Sequence, residues 1–321
     1  MPAGTDDSLD QLRGYAFAVA YRMLGSVADA EDIVQEGMLR LLQAEEDGEQ
    51  IQSRRAYLST VVTRLAIDEL RSARARREEY HGEWLPEPVV DPAAGPGAVT
   101  AIGTPVEPGP AEQAELADSL SVAMMVLLES LSPEQRAAFL LRDVFGYSYG
   151  EVAEIVEKSE PATRQLTARA RKAVEARRPR FETSREQRDQ LADRFFAAVF
   201  GGDVDDLESL LAEDVRLHGD GGGKVPAIAR PLAGAPTVAK ALWKWSQVGR
   251  RVDAWVDRVE INGQPGALLR DGEDRIISVM VLDLVDGRVD QVYSIVNPDK
   301  ISHLGEVADF KALIRSSLGR E

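Results

Sequence analysis

Apolar residues at Leu12, Tyr15, Ala16, Val19 and Met23, then at Ala30, Ile33, Val34, Met38 and Leu41, and again at Leu58, Val61, Val62 and Leu65 recur at three- and four-residue intervals. That spacing lays one apolar stripe along an α-helix. Three amphipathic helices are predicted, the first ended by Gly25-Ser26 and the second capped by Asp29. From Pro86 to Pro110 the periodicity disappears into a Pro-, Gly- and Ala-rich run, which reads as an extended linker. Helical spacing returns near Ala111. Two capping boxes, Ser132 with Gln135 and Ser148 with Glu151, mark two helix starts there.

Beyond Arg180 the texture changes. A helix carrying Leu191, Phe195 and Val199 leads to Gly201-Gly202-Asp203 and a short helix through Leu207, Leu210 and Leu211. The segment VRLHGD (Val215 to Asp220) alternates as a strand, and a helix follows around Val238 to Trp245. β-rich runs come at Val252 to Ile261, Ala267 to Arg270, Ile276 to Leu284 and Val289 to Val296, with Asn262-Gly263 and Asp286-Gly287 as hairpin turns. The prediction is a multidomain chain: two all-α domains, then an α+β domain with a curved antiparallel sheet.

Length agrees with several domains, since 321 residues exceed what one core organises. The chain has no cysteine, which excludes disulfides, thiol nucleophiles and Cys-ligated metal. The three histidines, His81, His218 and His303, are too scattered for a local metal cluster, so no metal and no cofactor is expected. No apolar run approaches a membrane span and the amino terminus is acidic, so a cytoplasmic protein is expected.

The net charge of -16 would oppose nucleic-acid binding if it were evenly spread. It is not. Acidic residues crowd 29 to 50, whereas Arg54, Arg55, Arg64, Arg71, Arg74, Arg76 and Arg77 follow, and a second basic run joins Arg164, Arg169, Arg171, Lys172, Arg177, Arg178 and Arg180.

DAEDIVQEGMLRLL from Asp29 and RAYLSTVVTRLAIDELRSARARRE from Arg55 resemble region 2 of the extracytoplasmic-function (ECF) sigma factors. The resemblance implies a polymerase-core-binding face at Asp29, Glu31, Asp32, Gln35 and Glu36. It also implies a -10 element reader at Arg64, Asp68, Arg71, Arg74, Arg76 and Arg77. At helical spacing Asp68 can hold both Arg64 and Arg71 in position. Arg64 stands where many members have asparagine, a departure that bears on which -10 base is preferred.

Leu131 to Arg178 resembles region 4, a helix-turn-helix. A capped helix from Ser148 to Val156, a short turn without the usual glycine (Glu157-Lys158-Ser159) and a second helix opening at Glu160-Pro161 carry the likeness. The second helix would read the -35 element with Glu160, Thr163, Arg164 and Gln165 and neutralise phosphate with Arg169, Arg171 and Lys172.

Three further motifs resemble the group of these sigma factors with a fused SnoaL-like domain: WLPEP (Trp84, Leu85, Pro86, Glu87, Pro88), DGGGK (Asp220, Gly221, Gly222, Gly223, Lys224) and NPDK (Asn297, Pro298, Asp299, Lys300). In that group the extension replaces a separate anti-sigma factor, so these residues are the expected interdomain regulatory site. The expected domains are region 2 (1–85), a flexible linker (86–112), region 4 (113–182), a SnoaL-like cone (187–302) and a helical tail (303–321).

The function implied is a non-enzymatic sigma factor that directs RNA polymerase core to promoter DNA. Two alternatives attach to the carboxy-terminal domain. A small-molecule ligand could gate the protein through the pocket, which Trp243, Trp245 and Trp255 could line. Alternatively, a fused cyclase could use His218 and Asp220, two apart on one strand and so on one face, for proton transfer.

Overall fold

A computed structural model describes residues 8–78, 80–90, 120–175 and 184–317, with the backbone alone for 73–78 and 316–317. The chain divides into two compact units, Met1–Glu78 with Val99–Arg178, and Glu79–Ala98 with Pro179–Glu321.

The first unit is all helical. It holds α1 (Leu9–Leu24), α2 (Val27–Glu46) and α3 (Arg54–Glu78), then α4 (Val122–Leu128), α5 (Pro133–Phe139), a π-helical turn (Leu140–Val144), α6 (Tyr149–Ile155) and α7 (Glu160–Glu175). Gly25, in the left-handed region at φ 68°, ends α1. The cap of α2 is Ser26, whose side chain accepts from the Asp29 amide, rather than Asp29 itself. Asp29 sits in the first turn, where its charge favours the helix amino terminus. Both predicted capping boxes form, at Ser132 and Ser148. Glu157 takes the left-handed turn conformation, φ 54°, in place of the missing glycine. Ser159 then starts α7, its Oγ accepting from the Ala162 amide at 3.4 Å.

The second unit is α+β. Helices α8 (Arg185–Gly201), α9 (Val204–Leu210) and α10 (Ala235–Arg250) pack on a six-stranded sheet ordered β2-β1-β6-β5-β4-β3. The strands are β1 (Leu211–Asp220), β2 (Leu232–Ala233), β3 (Trp255–Ile261), β4 (Gln264–Arg270), β5 (Ile276–Val285) and β6 (Arg288–Ile295). Asn262-Gly263 and Asp286-Gly287 have positive φ, as two-residue hairpin turns require. The sheet is mixed, not purely antiparallel: β1 pairs parallel with β6. Register shifts in β1, β4 and β5 bend it. After β6 come α11 (Pro298–Ile301), a 3-10 turn (Ser302–Leu304) and α12 (Phe310–Ser317).

The pleat assigns the two sheet faces. Val215, Leu217, Val292 and Leu282 pack with the helices in one core. The residues between them, His218, Asp220 and Tyr293, belong to the opposite face. On that face lies the segment 80–90. Pro86 to Val90 was expected to be flexible, yet Leu85, Val89 and Val90 are buried. Burying these apolar side chains favours the bound segment over a free one. The rest of the expected linker, with Arg177, Arg178 and Arg180, lies outside the described residues.

Among the described residues no helix is long and apolar enough to cross a membrane, and no group of His, Asp and Glu could hold a metal ion.

Candidate nucleic-acid interface and linker-binding site

On α2 the stripe of Ala30, Ile33, Val34 and Leu41 is buried, leaving Glu31, Asp32, Gln35 and Glu36 exposed and Asp29 half-buried. Leu39 and Leu42 are also exposed, at 49% and 40%. Two large apolar side chains thus stand exposed beside an acidic and amide face.

The expected -10 residues on α3 are engaged within their own unit. Arg64 donates to the carbonyls of Ile155 (3.2 Å) and Glu154 (2.9 Å) and pairs with Glu157 at 3.3 Å. Arg71 donates to Asp68 at 3.1 Å and to Glu134 at 2.7 Å. Asp68 therefore orients Arg71 only, because Arg64 finds three acceptors at the end of α6. Burial opposes ionisation of Glu134, but the hydrogen bonds from Arg71 and from its own helix start hold its carboxyl below the ordinary range. The side chains of Arg74, Arg76 and Arg77 lie outside the described residues. A cluster that sequence reasoning missed ties α1 and α3 to the loop before α6: Tyr15 Oη lies 2.7 Å from Tyr147 Oη, and Ser59 Oγ donates to Tyr15 at 3.0 Å.

On α7 the expected -35 residues divide. Gln165, Arg169 and Lys172 are exposed. Arg164 is exposed too, paired with Glu160 at 2.5 Å and stacked 4.2 Å from the centre of the Tyr149 ring. Thr163 is fully buried and donates to Ser159 O at 3.1 Å, so its side chain faces the helix packing and not a groove. Arg171 forms a forked pair with Asp143, its Nε reaching Oδ2 at 2.9 Å, which raises its pKa. That bond positions a helix more than it offers a free cation.

In the second unit Asp220 is the hub. Its carboxylate accepts from Tyr80 Oη (2.5 Å), Leu85 N (2.9 Å), Gly222 N (3.0 Å) and Lys300 Nζ (2.7 Å), with no exposed surface. Lys300 Nζ also donates to Leu85 O and lies 4.2 Å from the Trp84 ring centre. Asn297 Nδ2 donates to Tyr80 Oη at 2.9 Å. Burial first, then the bond to Asp220, raises the Tyr80 phenol above its ordinary range and keeps it a donor. Glycine is required beside this hub: Gly222 has φ 58°, and a Cβ there would stand 2.3 Å from Asn297 Nδ2. WLPEP, DGGGK and NPDK thus meet on one face of the sheet. Lys224 and Asp299 pair on the exposed rim.

Further along the segment, Val89 pairs with Asn262: its N donates to Asn262 Oδ1 at 2.9 Å, and its O accepts from Asn262 N at 2.8 Å. His303 Nε2 lies 2.9 Å from Pro88 O, and His218 sits between Glu83 (2.8 Å) and Gln291 (2.9 Å). Tyr80, Glu83, Asn262 and His303 were missed. Asn262 was legible only as a turn residue, and no spacing rule connects the others to the motifs.

The comparisons with known proteins fit this construction. The Sigma-70 region 2 family matches residues 9–76, and Sigma-70 region 4 matches residues 121–174. The Mycobacterium tuberculosis protein "ECF RNA polymerase sigma factor SigJ" is 38% identical over 301 residues, covering 91% of this chain and 92% of its own. The chain belongs to the ECF RNA polymerase sigma factors. A second M. tuberculosis relative, "Probable ECF RNA polymerase sigma factor SigI", is 28% identical over 292 residues, 91% of this chain and 93% of that protein. The crystal structure of SigJ superposes with a TM-score of 0.70 at 36% identity, over 91% of this chain and 96% of that one. The likeness therefore extends through the carboxy-terminal helix-and-sheet domain as well as the helical unit.

This sigma factor also carries a cavity of about 370 Å³ on the helix-facing side of the carboxy-terminal sheet. Its floor is a row across neighbouring strands, in which Gly219 pairs with Ser294 and Ser294 with Met280. Leu242, Trp245 and Val248 of α10 form a wall; Trp243 and Trp255 are not among the lining residues. His218 and Asp220 belong to the opposite face, bound to Glu83 and Tyr80. The expected proton-transfer pair is therefore not among the residues that line the cavity.

Proposed function

We propose that this ECF sigma factor is regulated in cis by its carboxy-terminal domain, through its grip on the segment from Tyr80 to Val90. The observation that carries this is the buried ion pair of Asp220 and Lys300, both of whose partners also bind the Leu85 backbone. A buried charge pair is an uneconomical way to hold a fold together, but it releases sharply when one partner is lost. Because this segment leads out of α3, freeing it frees the start of the connection to region 4.

In this reading Asp29, Glu31, Asp32, Gln35 and Glu36, with Leu39 and Leu42, dock on polymerase core. Arg64, Asp68, Arg71 and the arginines that follow serve the -10 element. Arg164, Gln165, Arg169 and Lys172 serve the -35 element, while Thr163, Glu160 and Arg171 shape the helix that presents them. The test is run-off transcription with purified core polymerase, comparing the intact protein with Asp220→Asn and Trp84→Ala. Altered promoter-specific output with unchanged core binding supports the grip as a control point; identical output from all three refutes it.

A second reading, that a small molecule gates this domain, is favoured by the cavity, whose floor shares strands β1 and β6 with the linker site. A ligand gates only through unequal affinity for two states.

A further inference from the structure

We infer that the cavity beneath α10 is a binding site for an uncharged, largely apolar small molecule that carries one or two hydroxyl or carbonyl groups, with α12 as its cover. The inference rests on the second reading above and names the ligand class that reading leaves open. Size comes first: about 370 Å³ lies within the roughly 300–1,000 Å³ of small-molecule sites. A void of this size is far larger than packing tolerates in an interior that serves only stability.

The lining then sets the chemistry. Among the described residues no charged or ionisable side chain borders the cavity. An ionised group entering it would lose its hydration with nothing to replace it, so carboxylates, phosphates and amines are excluded. Polar side-chain atoms among the described lining residues are the hydroxyls of three serines and the indole N–H of Trp245. Ser246 spends its hydroxyl on Trp243 O at 2.8 Å. Ser278 and Ser294, on adjacent strands of the floor, are 4% and 2% exposed. Among the described residues no side chain bonds either hydroxyl, and a buried hydroxyl seeks a partner. Two such groups, facing the void from the same side, suit a ligand with polar atoms at one end and an apolar body.

The cover is α12. Its Phe310, Leu313 and Ile314, at helical spacing, line the cavity and leave Lys311 and Arg315 exposed. The same strands carry the signal outward, since Ser294 and Val296 border the cavity while Asn297 bonds Tyr80.

The experiment uses the full chain and needs no polymerase, so its failure is distinct from failure of the regulatory reading. The probe is N-phenyl-1-naphthylamine, neutral and fluorescent in apolar surroundings. Saturable binding at one site per chain is expected. A neutral polycyclic hydroxyketone should displace it, and a fatty-acid carboxylate of equal carbon number should not. Ser294→Leu and Ser278→Leu, which fill the floor, should each weaken binding at least roughly tenfold with the native melting transition retained; if one variant does not fold, the other is decisive. Leu313→Glu should speed probe release. Non-saturable binding, displacement by the carboxylate as readily as by the neutral compound, or affinity unchanged in a folded floor variant would each overturn the inference.

Discussion

Replacing Lys300 with methionine keeps most of the side-chain volume and removes one charge from a site where Asp220 has no exposed surface and the lysine side chain only 7%. Breaking a buried pair costs about 3–5 kcal/mol, because the partner is left charged and dry. Asp220 would keep three donors, from Tyr80, Leu85 and Gly222, which places the cost near the lower figure. Two of those donors belong to the 80–90 segment, as does the Leu85 carbonyl that loses its own partner. The cheapest relief is therefore local release of the segment, not loss of the sheet. About 3 kcal/mol is a factor of about 100 in that opening equilibrium. Hydrogen exchange read by mass spectrometry on the intact protein measures it directly. The amides of Leu85 and Val89 should exchange about 100-fold faster in Lys300→Met, while β4 and β5 keep their protection. Lys224→Ala, at the exposed pair with Asp299, should change exchange by the equivalent of less than about 1 kcal/mol. Unchanged exchange at Leu85, or equal loosening of the whole sheet, would refute the assignment of this pair as the segment's anchor.

Gly222→Ala should lower stability by about 1–3 kcal/mol, seen as a lower denaturant midpoint, since the new methyl meets Asn297 and the backbone stays left-handed. The Arg71–Glu134 pair sets a pH dependence. Glu134 titrates below its unfolded value of 4.5, so its contribution is complete above about pH 4.5 and is lost as pH falls through the lower folded value. With Arg71 more than half exposed, that contribution is under about 1 kcal/mol, and urea midpoints of Glu134→Gln should lose this acid-side slope. On α7, Arg169→Ala should reduce the salt dependence of holoenzyme binding to a -35 duplex by about one unit of slope and leave the melting temperature unchanged. Arg171→Ala should instead lower the melting temperature, because the Asp143 fork is lost.

How much of this was legible beforehand follows the range of each interaction. The amphipathic stripes and the capping boxes at Ser132 and Ser148 depend on residues at most four apart, and each appears as a helix where it was placed. The hairpin dipeptides likewise turn where expected. The parallel pairing of β1 with β6 is a contact between distant segments that alternation alone cannot specify, hence the mixed sheet in place of an antiparallel one. Asn262 shows the same limit: it makes a turn, as its neighbour Gly263 suggested, but it also holds Val89 across a long stretch of chain. Ser26 caps α2 in place of Asp29 because the helix begins at Val27, which puts Asp29 at the third helical position. Thr163 stands at the start of the expected reading helix, yet α5 and α6 pack against α7 and Thr163 is buried.

The alternation along β1 and β6 has a consequence for how such a protein can change. Substituting a residue on one side of these strands, such as Ser294, can retune what the interior accepts without touching the neighbours that grip Tyr80. Inserting or deleting a single residue in either strand would turn every following side chain to the wrong side. Both faces would then fail together, so the two tasks can drift apart by point mutation while the length of the strands stays locked.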